Sequence, residues 1–383
     1  MKSEKYVKEL FLCNRCGYCR RLINPNTGTF GICPTYEVKG FESYTARGTI
    51  NIARAIFERR LSIDKRLADH IFSKCLMCKN CQIHCPSQVD ITLVTRTIRS
   101  HIFATGLLPE PLKERDAFIE LKHSVFDKIL QSRAETTCIM LPNKGNILYF
   151  VGCYDKYVYP YHAAATIKIF KKAFGDVAYL HDNEWCCGLP ILNDGNYDLA
   201  EKIARHNVNA IKASGAKLVI TSCPGCYSTL KSEYPKIVED IPFEVKHISE
   251  IIAELIDENK ISFKLKINEK VTYHDPCHLG RYEGVYEEPR KILYAIKGIE
   301  FVEMLRNKQN AFCCGGGTDL PLINPKLSLS IAKLRVNEAR EAGAEAIVTS
   351  CPQCIKTLSP AAKRSQIKIF NLPTLVVNAM GIR

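Results

Sequence analysis

The 383-residue sequence predicts an α+β chain of several domains: an all-helical N-terminal part, then two duplicated α/β units with small, mostly parallel sheets. Three observations predict this. The first hundred residues carry two tight cysteine triplets set among amphipathic helical stretches. The rest of the chain repeats itself at an offset of 124 to 128 residues. Between the repeat markers, short apolar runs alternate with helical patterns, the order that builds a parallel sheet.

In the first part, Ile50, Ala53, Phe57 and Leu61 share one helical face, and so do Val94, Ile98 and Ile102. A helix therefore joins the two triplets, and residues 1–105 are expected to form one domain. Gly106, Pro109 and Pro111 break the last helix. Residues 106–145 read as a connector, closed by a turn at Asn143–Asn146. The units are expected at 146–263 and 264–383. Their markers correspond closely. Leu148–Cys153 matches Val271–Cys277, Cys186-Cys187-Gly188 matches Cys313-Cys314-Gly315, and Ile220–Cys226 matches Val348–Cys354. Lys217–Ser222 reads as a strand, and helices are expected near 196–213 and 326–342.

Bulk composition excludes several classes. At 46% apolar and 24% charged residues, the chain is an ordinary globular one. It contains no run of eighteen apolar residues, so no membrane span is expected. The N-terminus lacks the apolar stretch and cleavage site of a secretory signal, and a cytoplasmic location is expected. The excess of 13 positive charges reads as a Lys-rich solvated exterior. No nucleic-acid module is recognisable. No dinucleotide fingerprint follows a strand, so neither flavin nor nicotinamide is expected on this chain. Gly315-Gly316-Gly317 lacks the Lys-Ser/Thr of a phosphate loop and reads as room beside the cysteines.

Of the 19 cysteines, 18 fall into the repeated patterns. In a reducing compartment such clustered thiols are metal ligands rather than disulfides. Cys75-x-x-Cys78-x-x-Cys81-x-x-x-Cys85-Pro86 is the spacing that grips a cubane 4Fe–4S cluster, with the fourth thiolate serving a second cube. Cys13-x-x-Cys16-x-x-Cys19 repeats it, with Cys33-Pro34 after an insertion of 13 residues. The crossing rule assigns Cys13, Cys16, Cys19 and Cys85 to one cubane, and Cys75, Cys78, Cys81 and Cys33 to the other. Structural zinc usually pairs two C-x-x-C hooks, which these triplets do not.

Each duplicated unit supplies five further cysteines. The first set is Cys153, Cys186, Cys187, Cys223 and Cys226; the second is Cys277, Cys313, Cys314, Cys351 and Cys354. Gly188 and Gly315 let the backbone bend after each cysteine pair. Five thiolates exceed the need of one mononuclear ion and favour an irregular polynuclear cluster, with zinc in one unit as the alternative. Cys138 is left over and reads as a buried inert thiol. His274 and His278 flank Cys277, where they either donate to cluster sulfurs or pack.

The Cys…Cys-Cys-Gly…Cys-x-x-Cys pattern resembles the cysteine-rich CCG domain. That domain occurs in the B and D subunits of heterodisulfide reductase and in iron–sulfur subunits of glycolate oxidase, lactate oxidase and anaerobic glycerol-3-phosphate dehydrogenase. The resemblance includes His274–Arg281, Pro289-Arg290, Cys33-Pro34-Thr35-Tyr36 and Ala46-Arg47-Gly48, and covers nearly the whole chain. It implies a two-cluster ferredoxin domain fused to two CCG units, with one or two non-cubane 4Fe–4S clusters in the latter. The activity first expected from it is electron transfer between a flavin-dependent 2-hydroxy-acid dehydrogenase and a quinone or other carrier. The alternative is disulfide reduction on this chain, with Cys277, Cys313, Cys314, Cys351 and Cys354 as the catalytic set. The implied partners are a flavoprotein dehydrogenase subunit, or a membrane cytochrome b-like or quinone-reactive subunit.

Overall fold

A computed structural model describes residues 4–24, 28–126 and 141–382; Cys138 lies outside them. The N-terminal part is helical. Ala46–Phe57 is started by Thr45, whose side chain accepts from Gly48 N, and Ile91–Ala104 by Asp90, which accepts from Leu93 N. Ile50, Ala53, Val94, Ile98 and Ile102 are all buried in one apolar core together with Tyr6, Leu10, Ile71 and Phe72. Leu61 does not join them. The helix stops at Phe57, and Leu61 lies beyond it and is exposed. The insertion between Cys19 and Cys33 adds a hairpin to this helical domain, in which β1 (Arg21–Asn24) pairs antiparallel with β2 (Gly28–Gly31).

After Gly106, Pro109 and Pro111 sit at the start of a new helix, Glu110–Lys122, where a missing N–H costs nothing. The first α/β unit then forms a three-stranded parallel sheet in the order β3 (Ile147–Phe150), β4 (Leu218–Thr221), β5 (Glu244–His247). The second has four parallel strands in the order β7 (Ile299–Phe301), β6 (Glu269–Tyr273), β8 (Ala346–Thr349), β9 (Lys368–Asn371). Where β7 lies in the second sheet, the first has a single parallel bridge from Leu148 to Ala178. The expected helices are Tyr197–Ser214 and Pro325–Glu341.

The two units exchange their last helices. Ile248–Asp257 of the first packs on Glu287–Ala295 of the second, and Leu372–Met380 of the second packs on Pro160–Ala173 of the first. One continuous core results, running from Tyr149, Ile220 and Ile251 to Tyr273, Val348 and Val376. This reciprocity follows from the duplication, because equal units bury equal faces most fully about a twofold relation. Every cysteine set of the α/β units lies beyond the carboxyl ends of the strands, where open α/β sheets place their ligand sites.

Candidate metal centres

The 18 described cysteines are all free thiols. The two N-terminal triplets share one backbone device. The residues on either side of each central cysteine, Arg15 and Gly17 around Cys16 and Met77 and Lys79 around Cys78, have positive φ. This turns successive amides inward toward the sulfurs, and Met77 N lies 3.4 Å from Cys75 Sγ. Cys13, Cys16, Cys19 and Cys85 line one cavity, walled by Ile50, Val89 and Ile91. Cys33, Cys75 and Cys78 line a second, and Cys81 lies on the wall of both. The geometry thus brings Cys85 to the first triplet and Cys33 to the second. Cys16 is exposed, whereas Cys78 is buried. Burial pushes the Cys33 thiol up to about 12; only a bound cation would make it a good thiolate.

In the first α/β unit the side chains hydrogen-bond in sequence: Cys153 to Cys186, Cys186 to Cys187, Cys187 to Cys226 and Cys226 to Cys223. The second unit repeats the run through Cys277, Cys313, Cys314, Cys354 and Cys351, with Cys314 Sγ and Cys354 Sγ 3.3 Å apart. In both, the middle thiol is the acidic one. Cys187, hydrogen-bonded by Cys186 and Cys226, and Cys314, by Cys313 and Cys354, are held well below the ordinary thiol value. Gly188 (φ 82) and Gly315 (φ 90) take the left-handed turn after each pair. Gly317 has a different use from the room expected there. A Cβ on it would stand 2.4 Å from Leu76 O, so its bareness admits the Cys75–Cys81 turn.

The four sets are arranged in a row. Cys81 joins the first two. Cys78 then hydrogen-bonds Cys313, carrying the row into the second α/β unit. Cys351 and Cys223 lie in each other's field, so the two five-cysteine sets face one another. The Tyr154 hydroxyl stands in the field of Cys223, Cys351 and Cys153 at that meeting point. Arg281 Nε and Tyr282 OH bond Cys78 O and Met77 O at 2.5 and 2.7 Å, and Thr318 Oγ1 bonds Cys75 O at 2.9 Å, locking the N-terminal turn onto the second unit. Arg47, from the Ala46-Arg47-Gly48 stretch, braces the other turn through Arg15 O at 2.8 Å. His278 sits beside Cys277 in the chain. It bonds Ser228 Oγ at 2.7 Å and stacks on Tyr282, a packing role across the interface of the units. His274, by contrast, bonds the Cys314 side chain.

Several residues near the sites carry no motif. Glu184 is buried behind the first set, accepts from Val151 N and Gly152 N, and is pushed up to about 7 by burial. A buried cluster of Arg99, Arg115, Asp116, Asp194 and Asp319 pins the N-terminal helices to both units. The repeat itself was the signal that could have found one more: laying one unit over the other sets Arg335 opposite Asn207, just as it sets His274 opposite Phe150.

Thiols without disulfides, gathered in four sets by inward-turned backbone, are a fit for iron and sulfide and define an iron–sulfur electron-transfer protein. Residues 9–89 match the 4Fe-4S dicluster domain, and residues 147–231 and 271–359 each match the cysteine-rich CCG domain. The D subunit of dihydromethanophenazine:CoB–CoM heterodisulfide reductase from Methanosarcina acetivorans is 31% identical over 98% of this chain and 95% of its own length. The chain belongs to the family of that D subunit and is an iron–sulfur subunit of an oxidoreductase. EtfAB:quinone oxidoreductase of Syntrophomonas wolfei is 28% identical over 80% of this chain and 46% of its own length. A hypothetical protein from Helicobacter pylori shares the fold, with a TM-score of 0.63, 12% identity, and coverage of 100% of this chain and 73% of that one. Among the described residues, no helix is long and apolar enough to cross a membrane.

Proposed function

We propose that this chain carries electrons along its row of thiol sets and delivers them to a low-molecular-weight disulfide, as the heterodisulfide-reducing member of a larger complex. Cys13, Cys16, Cys19 and Cys85 would hold one cubane cluster, and Cys33, Cys75, Cys78 and Cys81 the other. Cys153, Cys186, Cys187, Cys223 and Cys226 would hold a non-cubane cluster in the first α/β unit, and Cys277, Cys313, Cys314, Cys351 and Cys354 one in the second. When bound, each cluster supplies a one-electron centre.

The observation that carries the reading is that the two five-cysteine sets face each other across Cys223 and Cys351. Cleaving a disulfide takes two electrons and two protons and yields two thiols, so two adjoining one-electron centres suit it. The full-length likeness to a heterodisulfide reductase component supports the same reading. Cys16, exposed at the other end of the row, marks where a reduced partner would hand over electrons. The buried Cys78–Cys313 contact keeps the middle of the path away from water and dioxygen.

A second reading keeps the chain as a relay, passing electrons from a flavin-dependent 2-hydroxy-acid dehydrogenase to a quinone-reactive partner. The likeness to a quinone oxidoreductase favours it. The test supplies the purified complex with a reduced dye and a thiol disulfide, and separately with glycolate or lactate and a quinone. Release of two thiols per disulfide is expected. Hydroxy-acid oxidation with no disulfide turnover overturns the first reading in favour of the second.

A further inference from the structure

The duplication lets the two cysteine-rich units be compared position by position, and beside the thiols they differ in kind. His274 stands three residues before Cys277, where the first unit has Phe150 before Cys153. Arg335 stands sixteen residues before Cys351, where the first unit has Asn207 before Cys223. His274 and Arg335 are both buried. Arg335 Nε donates to His274 Nδ1 at 3.1 Å. An imidazole that accepts at Nδ1 is neutral and carries its proton on Nε2. The same ring hydrogen-bonds the Cys314 side chain, and a ring nitrogen, Cys314 Sγ and Cys354 Sγ all lie within 4.8 Å of one another. Arg335 is itself held, donating 2.8 Å bonds to Glu338 Oε2 and Arg306 O.

In the first unit the Thr229 side chain hydrogen-bonds Cys187, and the second unit keeps a threonine, Thr357, at the matching position; what the first unit lacks at the positions of His274 and Arg335 is an imidazole and a guanidinium. Phe150 offers no polar atom. Asn207 spends its side chain on Trp185 N, Cys186 O and Tyr234 OH. The first unit instead carries the Glu184 carboxyl, turned to Val151 N and Gly152 N, and its place in the second unit is taken by Ala311.

We propose that His274, held in one tautomer by Arg335, donates an N–H···S hydrogen bond to Cys314 and thereby sets the second unit's cluster at a higher reduction potential than the first unit's. This rests on the reading that each set of five cysteines holds a cluster. Reduction adds negative charge to a cluster and its thiolates, and a donor aimed at a ligating sulfur stabilises the reduced form. The second unit is also the one that Cys78 touches. Electrons arriving from the N-terminal domain therefore come to rest there before the first unit fills. His274 is a positioning residue acting through Cys314, not a metal ligand, because Arg335 occupies Nδ1 and a proton occupies Nε2.

The test is a potentiometric titration of the iron-loaded full chain followed by electron paramagnetic resonance. His274→Phe copies the first unit, and His274→Gln keeps an N–H donor. His274→Phe is expected to retain full iron content while the reduced-to-oxidised ratio of the second-unit signal, at fixed potential, falls about tenfold, which is about 59 mV for one electron. The first-unit midpoint stays in place, and His274→Gln recovers most of the shift. An unmoved midpoint at full iron content overturns the proposal, as does an equal shift in both units. Loss of second-unit iron in His274→Phe also overturns it, since His274 would then be a ligand. The unsubstituted protein gives an independent check. With ¹⁵N-labelled histidine, pulsed resonance should find the weak coupling of a hydrogen-bonded nitrogen on the second-unit signal; no coupling, or the strong coupling of a coordinated nitrogen, overturns the proposal. If the unsubstituted chain binds iron only at the eight N-terminal cysteines, the underlying reading falls, and the proposal with it.

Discussion

At the scale of single residues, the duplication supplies its own controls. His247 caps the helix Ile248–Asp257, its Nδ1 accepting from Ser249 N at 3.2 Å. In the second unit Asn371 does the same for Leu372–Met380, accepting from Thr374 N at 3.1 Å. The histidine carries a liability that the asparagine does not. Burial pushes it from 6.5 down to about 3, so the fold keeps it neutral. Between those values the unfolded chain binds a proton that the folded chain refuses, so this residue's stabilisation is complete above 6.5 and is lost as pH falls toward 3. In His247→Asn, that part of the acid destabilisation should vanish. Urea midpoints measured from pH 7 down to pH 4 should fall less steeply than in the unsubstituted protein; identical slopes would refute the assignment.

The elements around the thiols depend on turns that side chains resist. Gly315 has φ 90, and a Cβ on it would lie 2.5 Å from Ser328 O in the helix Pro325–Glu341. Gly188 has the same turn, but its Cβ would meet only the Ile203 side chain, at 3.3 Å. Both substitutions to alanine carry the strain of a left-handed residue, about 1–3 kcal/mol. Gly315→Ala adds a clash with backbone that cannot rotate away. Gly315→Ala should therefore destabilise more than Gly188→Ala, and should cost the second unit its iron while the first keeps its own. Denaturation midpoints and iron content per chain test the order; equal losses would argue that the two turns are held alike. Much of this was legible in the sequence, because Cys-Cys-Gly and Cys-Pro-x-Cys are local devices whose geometry their own residues dictate. The helix ending at Phe57 was not. Leu61 continues the apolar period of Ile50 and Ala53, yet the chain turns away before reaching it, and no local residue marks that stop as strongly as a proline or glycine would.

For the whole molecule, the contacts that matter join distant parts of the chain. Arg115 bonds Asp116, Asp194 and Asp319, and Arg99 bonds Asp319, all at the junction of the N-terminal helices with both α/β units. Burial and the neighbouring Asp319 raise Asp194 well above the ordinary carboxylate range. Asp319 is kept low by Arg115 and Arg99 despite its burial. Arg115→Leu leaves buried carboxyls uncompensated and should cost about 3–5 kcal/mol, measured by equilibrium unfolding; a loss under about 1 kcal/mol would mean the cluster is not a structural pin. Cys78→Ser acts on the same scale, because Cys78 touches both its own set and Cys313. It should abolish one cubane resonance signal and leave both α/β units folded, with the second-unit signal retained but altered in shape. If every signal survives unchanged, the ligand assignment is wrong.

Spacing along the chain determined which thiols form each triplet and each five-cysteine set, and the repeat determined that the sets come in equal pairs. Those relations hold within a turn or within one copied unit, where covalent geometry and strand–helix period leave little freedom. Tertiary structure alone decided the order of the row, the meeting of Cys78 with Cys313 and of Cys223 with Cys351, and the pairing of Arg335 with His274. These depend on how sheets and helices remote in sequence bury their apolar faces together, and no short run of residues encodes that.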